Sequence, residues 1–282
     1  MKQLLSLFMI LWIYQPDSAC QPADIMVKNI YCHEILDGKE TGNKYVCVQK
    51  TYDNNNRLVL ERFYDDKVRE QVGYRWYFYN SQGKIKSVEN FNMNQLPERL
   101  IQVLYGESGD TMKIIEYAGG KEAINKTSEK YFYYSSSGQL KQTRTVTSSN
   151  NPIETVKYSY KSGLKSPVKA SISNKSAVPF KEKATFVYVD STGLPISAVR
   201  QMNDLQNKNR YKITVSYNRK GKPIEELYVS DNRPFKKKIY KYAAEIELEN
   251  CREEDGMGKL TALYTVETYF HKANIDRKSY FE

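Results

Sequence analysis

The chain has 282 residues, of which 40% are hydrophobic and 27% charged, so it is neither a disordered tail nor a polytopic membrane protein. A chain of this length buries a core without needing disulfide or metal staples, in one or two domains. Lys and Arg outnumber Asp and Glu by 43 to 33, and there are 24 Tyr against 10 Phe. A ring that carries a hydroxyl suits a sheet face that meets water, so the tyrosines are the feature to explain.

The first residues are typical of a secretory signal peptide. Lys2 precedes an apolar run at residues 4–14, and Pro16 and small residues follow it. A transmembrane helix needs roughly 20 apolar residues, and this run is shorter. We therefore expect a signal peptide at residues 1–19 and an extracytoplasmic protein, which is periplasmic, at the outer membrane or secreted.

The residues around Cys20 leave its fate open. Ser18-Ala19-Cys20 resembles the end of a bacterial lipobox, although Asp17 stands where a Leu is usual. Cys20 is therefore a candidate for lipidation, and a lipid there would be the only membrane attachment that we expect. Ordinary cleavage after Ala19 would instead leave Cys20 as a plain N-terminal residue.

Residues 20–50 read as an N-terminal hairpin that contains three of the four cysteines, two of them on its strands. Strands at 30–35 and 44–49 flank turn residues, so Cys32 and Cys47 could face each other and form a disulfide in an oxidising compartment. Cys20 and Cys251 would then tie the chain ends together, or Cys20 is acylated and Cys251 stays a thiol. Four unpaired core cysteines are the alternative. The cysteine spacing fits no metal site, and we expect no metal and no cofactor.

One pattern recurs through residues 51–242, which we interpret as a β-repeat domain of about seven copies. A Tyr is followed by three spacer residues, a Gly or Asn, one further residue and an apolar residue. The turn residues are spaced 25–30 residues apart, and each supplies a positive φ at low cost, so the tyrosine strand turns back on the next strand. The tyrosines of the copies, imperfect ones included, are Tyr52, Tyr79, Tyr105, Tyr134, Tyr160, Tyr188 and Tyr217. We assign these seven to repeat architecture rather than to binding.

A second turn signal falls midway between copies, for example at residues 92–94 and 150–152, so each repeat is two strands. Within a strand, Tyr211, Ile213 and Val215 alternate with polar residues, which indicates one half-buried face. Open twisted sheets of this size usually curl or close. The prediction is an all-β fold, a long antiparallel meander of about 15–18 strands curved into an open half-pipe, spiral or barrel.

The first copy carries a resemblance to a known family. Tyr52-Asp53-Asn54-Asn55-Asn56-Arg57-Leu58 resembles the Tyr-Asp-x-x-Gly-Arg-Leu core of the YD repeats of RHS-type bacterial surface and toxin proteins. The resemblance covers roughly residues 45–242, with longer steps between copies, and the Asp after Tyr occurs only at Asp53. RHS proteins form β-cocoons around a toxin, and this chain is too short for a complete shell. The resemblance implies a secreted β-repeat that faces a carbohydrate or a partner and has no catalytic residues.

The positive charge is concentrated in residues 141–242, whereas residues 1–140 are balanced and 243–282 are acidic. One interpretation is a surface for an anionic partner, with tyrosines available for stacking. The other is that lysines keep exposed strands soluble and prevent edge-to-edge aggregation. We expect the acidic segment 243–282 to pack on the basic repeats. The candidate binding residues are Lys208, Arg210, Lys212, Lys236, Lys237, Lys238, Tyr211 and Tyr240.

The chain shows no catalytic motif. Only His33 and His271 occur, no phosphate-binding loop or nucleophile elbow is present, and His33 reads as structural. We expect an exported, non-catalytic β-repeat protein of the bacterial envelope or exterior. Its partner would be an anionic polysaccharide, an envelope component or another secreted protein rather than nucleic acid. The alternatives are a lipid or lipoprotein carrier, whose concave sheet face should be continuously apolar, and a polysaccharide-active enzyme with carboxylates paired in space.

Overall fold

A computed structural model describes residues 23–65, 68–119, 124–164, 166–176, 179–188 and 194–273. The expected signal peptide, Cys20 and the turn at Gly193 lie outside these ranges. The described chain contains 18 strands. In chain order they are β1 (Ala23–Leu36), β2 (Lys39–Tyr52), β3 (Leu58–Tyr64), β4 (Gln71–Tyr79), β5 (Ile85–Asn92), β6 (Pro97–Tyr105), β7 (Thr111–Gly119), β8 (Ile124–Tyr134), β9 (Leu140–Thr147), β10 (Pro152–Ser159), β11 (Lys169–Asn174), β12 (Phe180–Tyr188), β13 (Pro195–Asp204), β14 (Arg210–Tyr217), β15 (Pro223–Ser230), β16 (Arg233–Ala243), β17 (Glu247–Asp255) and β18 (Leu260–Ala273).

The strands form one closed barrel. Each strand pairs antiparallel with the next in the chain. The first and last strands also pair with each other, from Ala23 opposite Ala273 to Cys32 opposite Tyr264, which closes the ring. The all-β meander is confirmed, its strand count lies within the expected range, and of the three curved forms the barrel is the one observed. Closure leaves no unpaired edge, which is how a sheet this wide avoids edge-to-edge association.

The repeat turn is built by backbone and side chain together, as the β4–β5 hairpin shows. The N–H of Gly83 donates to the carbonyl of Asn80 at 2.9 Å, and the N–H of Asn80 donates to the carbonyl of Lys84 at 2.8 Å. The Asn80 Oδ1 accepts the N–H groups of Gln82 and Lys84. Gly83 has a φ of 73°, so the hairpin is a type I turn followed by a left-handed residue. The position after the tyrosine is therefore a turn cap, which Asp53 fills in the first copy.

The hairpin turns fall on two rims of the barrel. The turns that follow the repeat tyrosines share one rim, the tyrosine rim, with the start of β1 and the end of β18. The midway turns lie on the other rim. The sequence pattern missed an eighth tyrosine turn after Tyr242, because Ala244 and Glu245 take positive φ values of 47° and 62° there without a Gly or Asn.

The hydroxyls of the repeat tyrosines join neighbouring hairpins around the tyrosine rim. Five of the seven donate to a backbone carbonyl just after the turn of the preceding hairpin, at or just before the start of the adjacent strand. The bonds are Tyr79 to Leu58 at 2.7 Å, Tyr105 to Ile85 at 2.8 Å, Tyr134 to Thr111 at 2.9 Å, Tyr160 to Leu140 at 2.8 Å and Tyr188 to Pro167 at 2.7 Å. These tyrosines are architectural, because each satisfies a carbonyl that the strand ladder leaves over at the turn.

Cross-strand register divides the side chains between two faces of the wall. We call the face that carries the repeat tyrosines the tyrosine face, and the other the opposite face. In β3 and β4 the buried Leu60, Tyr74 and Trp76 lie on the opposite face. In β10–β12 the buried Val156, Ala170 and Ala184 lie on the tyrosine face. Over β10–β12 the opposite face is therefore the one left open to solvent and ligands.

The predicted Cys32–Cys47 disulfide requires the two residues to face each other, and this expectation is wrong. Cys32 lies opposite Tyr45, and the pairing shifts at a bulge between Ile30 and Tyr31 that leaves Cys47 without a cross-strand partner. The Cys47 Sγ–H donates to the carbonyl of Ile30 at 3.2 Å. Cys32, Cys47 and Cys251 are thiols in the structure. A bulge of one residue is invisible to a count of residues on either side of a turn.

Both ends of the described chain belong to the barrel wall. The expected N-terminal hairpin supplies β1 and most of β2, and the acidic C-terminal segment supplies β17 and β18. The only turn between β1 and β2 is at Asp37-Gly38, because Gly42 lies within β2. No helix long and apolar enough to cross a membrane occurs in the described part of the chain.

Candidate functional site

The structure divides the sequence-predicted binding residues between the two faces. Lys236, Lys238 and Tyr240 lie on the tyrosine face with Tyr211. Lys237, Arg210 and Lys212 lie on the opposite face. Lys208 is exposed in the β13–β14 turn, with a φ of 61°. Alternation along a strand separates residues that are adjacent in sequence, so these eight do not form one surface.

The two predicted lysines on the tyrosine face are already neutralised within the chain. Glu253 accepts both Lys236 at 2.5 Å and Lys238 at 2.8 Å. Burial alone would raise the pKa of Glu253, but the two lysine hydrogen bonds outweigh it and hold the pKa below its usual value. The Glu253 carboxylate of β17 thus pairs with two lysines of the basic strand β16. A carboxylate shared by two ammonium groups leaves little charge for an outside anion.

The tyrosine next to this cluster is committed in the same way. Burial and the nearby Glu226 carboxylate raise the pKa of Tyr240, and Tyr228 donates to Glu226 at 2.5 Å. Lys237, on the other face, pairs with Glu225 at 2.8 Å. Most of the β16 part of the predicted set is therefore engaged in contacts within the chain.

Seven open cations lie on the opposite face of β9–β14, and we call them the basic surface. All are exposed, and none takes part in an ion pair within the described residues. The tyrosine face of the same strands differs, because Arg200 there forms a two-pronged contact with buried Glu182 at 2.6 and 3.0 Å. The basic surface consists of Arg144, Lys157, Lys169, Lys181, Lys183, Arg210 and Lys212.

A groove of about 810 Å³ runs over part of the basic surface. Its walls carry ammonium and guanidinium groups beside the amides of Gln201 and Asn203, with Tyr211 and Val229 also in its lining and Asp231 and Asn232 from the β15–β16 turn at one end. Ammonium and guanidinium groups donate to carboxylate, sulfate or phosphate, and the amides both donate and accept. The groove therefore suits a polar anionic chain rather than an apolar ligand.

The sequence contains a signal for this surface in the position of each lysine relative to the repeat tyrosine. Each repeat tyrosine ends a strand and lies on the tyrosine face. A residue an even number of positions before it on that strand shares the tyrosine face, and a residue an odd number of positions before it lies on the opposite face. By this rule Lys183 and Lys181 oppose Tyr188, and Lys212 opposes Tyr217. Lys157, Lys181 and Lys183 belonged to the basic segment of the sequence, but the predicted set of binding residues did not include them.

Neither face of the described wall is continuously apolar, as a lipid carrier would require. On the tyrosine face Glu61 is buried and pairs with Lys50 at 3.1 Å and Arg75 at 3.1 Å. On the opposite face Lys183 and Lys212 of the basic surface occupy mid-strand positions. The described part of the wall does not favour that alternative.

His33 forms a network that ties together three strands at the barrel closure. Its Nδ1 lies 2.7 Å from the Glu40 carboxylate in β2, and its Nε2 lies 2.8 Å from the Thr265 hydroxyl in β18. The order of groups is that of a nucleophile, a base and an orienting acid. However, Thr265 lies in mid-strand, paired with Tyr31 and Asn250, where the backbone N–H groups serve the ladder rather than an oxyanion. The network is therefore best read as a structural tie.

A smaller cavity of about 230 Å³ lies beside the buried aromatic cluster of β3–β5, with Leu60, Tyr74 and Trp76 in its wall. Tyr74 stacks on Phe91 with ring centroids 5.0 Å apart. The described residues contain no cluster of three or more His, Cys, Asp or Glu side chains able to hold a metal ion.

No protein-family model matches the chain, and no curated protein matches it. Among solved structures it is similar to a porin-like protein from Bacteroides vulgatus, with 9% identity, a TM-score of 0.37, and coverage of 85% of this chain and 96% of that one. A porin-like protein from Bacteroides uniformis is 10% identical, with a TM-score of 0.38 over 88% and 96%. A chain of a TcdB2-TccC3-Cdc42 structure is 11% identical, with a TM-score of 0.31 over 82% of this chain and 16% of that one. TM-scores this low do not establish a common fold.

Proposed function

We propose that this protein is an exported, non-catalytic β-repeat barrel of the bacterial envelope that binds an anionic polysaccharide through the basic surface. The observation that carries the proposal is the set of seven exposed cations without an acidic partner on one face of neighbouring strands. Solubility alone needs scattered charge of both signs. A field of one sign beside a polar groove attracts and retains a polyanion.

A polysaccharide fits this surface better than a single-stranded nucleic acid does. Single-stranded nucleic acid is held by several aromatic rings on which successive bases stack. Serine, asparagine and glutamine side chains instead alternate with the cations here, at Ser171, Ser173, Gln201 and Asn203. Short polar groups of this kind match the hydroxyls of a sugar chain.

The test compares two triple variants that remove the same charge, one from the basic surface and one from the tyrosine rim. Lys181→Gln, Lys183→Gln and Lys212→Gln remove three of the seven cations of the basic surface, whereas Lys161→Gln, Lys220→Gln and Lys222→Gln neutralise exposed lysines at the tyrosine rim. Exposed ion pairs contribute about 0.7 kcal/mol each, so the first variant should lose about 2 kcal/mol, or roughly thirtyfold in affinity for polygalacturonate or hyaluronan.

The matched variant should bind these polymers like the parent protein, and neutral dextran should bind to neither. Parent binding should weaken steeply as NaCl rises, because the polymer's counterions are released on binding. Equal losses in the two triple variants would contradict the proposal, as would tighter binding of single-stranded DNA of equal charge.

A further inference from the structure

One row of the basic surface has a regular charge spacing. Directly opposed residues on successive strands share a face, and on β10–β14 they read Lys157, Ser171, Lys183, Gln201 and Lys212. A cation therefore occurs on every second strand and an uncharged polar side chain on each strand between. All five are exposed.

The interval follows from the geometry of a sheet. Neighbouring strands lie about 4.8 Å apart, so cations on alternate strands are separated by roughly 9.6 Å. Flexible lysine stems adjust this distance but start from a fixed, repeated spacing. A β-linked disaccharide in an extended chain covers a comparable length, whereas a single sugar covers about half of it.

The row continues to an aromatic ring. Lys157 lies opposite Gln142 on β9, and Gln142 lies opposite Tyr133 on β8. Tyr133 is 45% exposed, so the even-numbered strands from β8 to β14 present a tyrosine and then three lysines. An exposed ring at this interval offers a face on which one sugar ring can stack.

We propose that this row reads the charge period of its ligand and selects a linear polysaccharide that carries one negative charge per disaccharide. The polymer runs across the strands, its charges meet Lys157, Lys183 and Lys212, and its uncharged sugars face Ser171 and Gln201. This inference rests on the proposed function, and it adds the ligand's charge spacing and direction. A polymer charged on every sugar places half of its carboxylates opposite uncharged side chains, where no ammonium group offsets their desolvation.

The experiment compares hyaluronan oligosaccharides, which carry one carboxylate per disaccharide, with oligogalacturonates, which carry one per sugar. Fragments with the same number of carboxylates are titrated against the full barrel at one ionic strength. We expect the hyaluronan fragments to bind at least fivefold more tightly. Their affinity should rise with length until the fragment spans the row and then level off. Tyr133→Ala should weaken binding of the hyaluronan fragments relative to the parent, while Tyr133→Phe, which keeps the ring, should not.

A second variant tests the spacing itself. Ser171→Lys with Gln201→Lys places a cation on every strand of the row, at two exposed positions that no packing constrains. The preference should then shift toward oligogalacturonate by fivefold or more. The matched control adds two lysines at exposed positions of the tyrosine-rim turn after Tyr134, as Ser136→Lys with Ser137→Lys. This variant keeps Gly138, whose φ is positive, and should leave the ratio unchanged.

The outcomes separate this inference from the one on which it rests. Equal affinity per charge in the parent, or a ratio that the added lysines do not move, overturns the spacing inference while salt-sensitive binding still supports the proposed function. Failure of the parent to bind either polymer overturns both.

Discussion

The tyrosine hydroxyls at the tyrosine rim should contribute measurably to the stability of the barrel. Tyr134→Phe removes only the oxygen that donates to the carbonyl of Thr111 at 2.9 Å, and keeps the ring. A hydrogen bond of this kind contributes about 1 kcal/mol net. Tyr133→Phe is the matched control, because Tyr133 is the preceding residue, points to the other face and is 45% exposed.

The repeat multiplies this effect. Tyr79, Tyr105, Tyr160 and Tyr188 make the same bond, on hairpins that follow one another around the rim. Successive sites are two strands or roughly 9.6 Å apart, which is far enough for changes in stability to be close to additive. Replacing all five tyrosines by Phe should therefore cost about 5 kcal/mol, a large share of the 5–15 kcal/mol expected of a folded protein.

Urea unfolding followed by circular dichroism measures the loss. With a denaturant slope of about 3 kcal/mol per molar, Tyr134→Phe should lower the urea midpoint by about 0.3 M, and the variant with all five substitutions should lower it by about 1.7 M. Tyr133→Phe should leave it in place. An architectural role for the hydroxyls would be refuted if the variant with all five substitutions had the same urea midpoint as the parent, or if Tyr133→Phe lowered the midpoint as much as Tyr134→Phe.

Three further predictions concern the two faces. Leu60→Ala should cost about 2–5 kcal/mol in urea unfolding because Leu60 is 2% exposed, whereas Leu36→Ala, at a 67% exposed position, should change stability by less than about 0.5 kcal/mol. Arg200→Gln should cost about 2 kcal/mol by leaving the buried Glu182 carboxylate without its cation, and adding Glu182→Gln should restore part of that stability; no recovery would argue against the ion pair. Burial and the hydrogen bond to Glu61 outweigh the opposing hydrogen bond from Arg75 and raise the pKa of Tyr77 to about 12. The contribution of Tyr77 to the stability of the fold is therefore intact below about pH 10 and is lost as the pH rises toward about 12. Urea midpoints taken at increasing alkaline pH should fall less steeply for Tyr77→Phe than for the parent.

Much of this fold could be predicted because the repeat encodes it locally. A tyrosine, a capping residue such as Asn80 and a left-handed residue such as Gly83 specify one hairpin, and the interval between copies specifies two strands per repeat. Closure was harder to predict, because the pairing of β1 with β18 depends on the curvature of the whole sheet, which no single strand records. The turn after Tyr242 was missed since Ala244 and Glu245 adopt positive φ without the usual residues.

The candidate site was harder to predict than the fold because charge density along the chain is not charge density on a surface. Lys236, Lys237 and Lys238 form the densest basic run of the predicted set, yet alternation sends them to two faces and each meets a glutamate. Lys183 and Lys212 are far apart in sequence, yet they lie in the same row on either side of Gln201, which is directly opposite each of them on the strand between. Counting residues back from a repeat tyrosine assigns the face of each lysine on the strand that this tyrosine ends. In a repeat of this kind the tyrosine therefore serves as the reference for the side-chain alternation, and a binding surface is found by comparing positions between copies rather than along the chain.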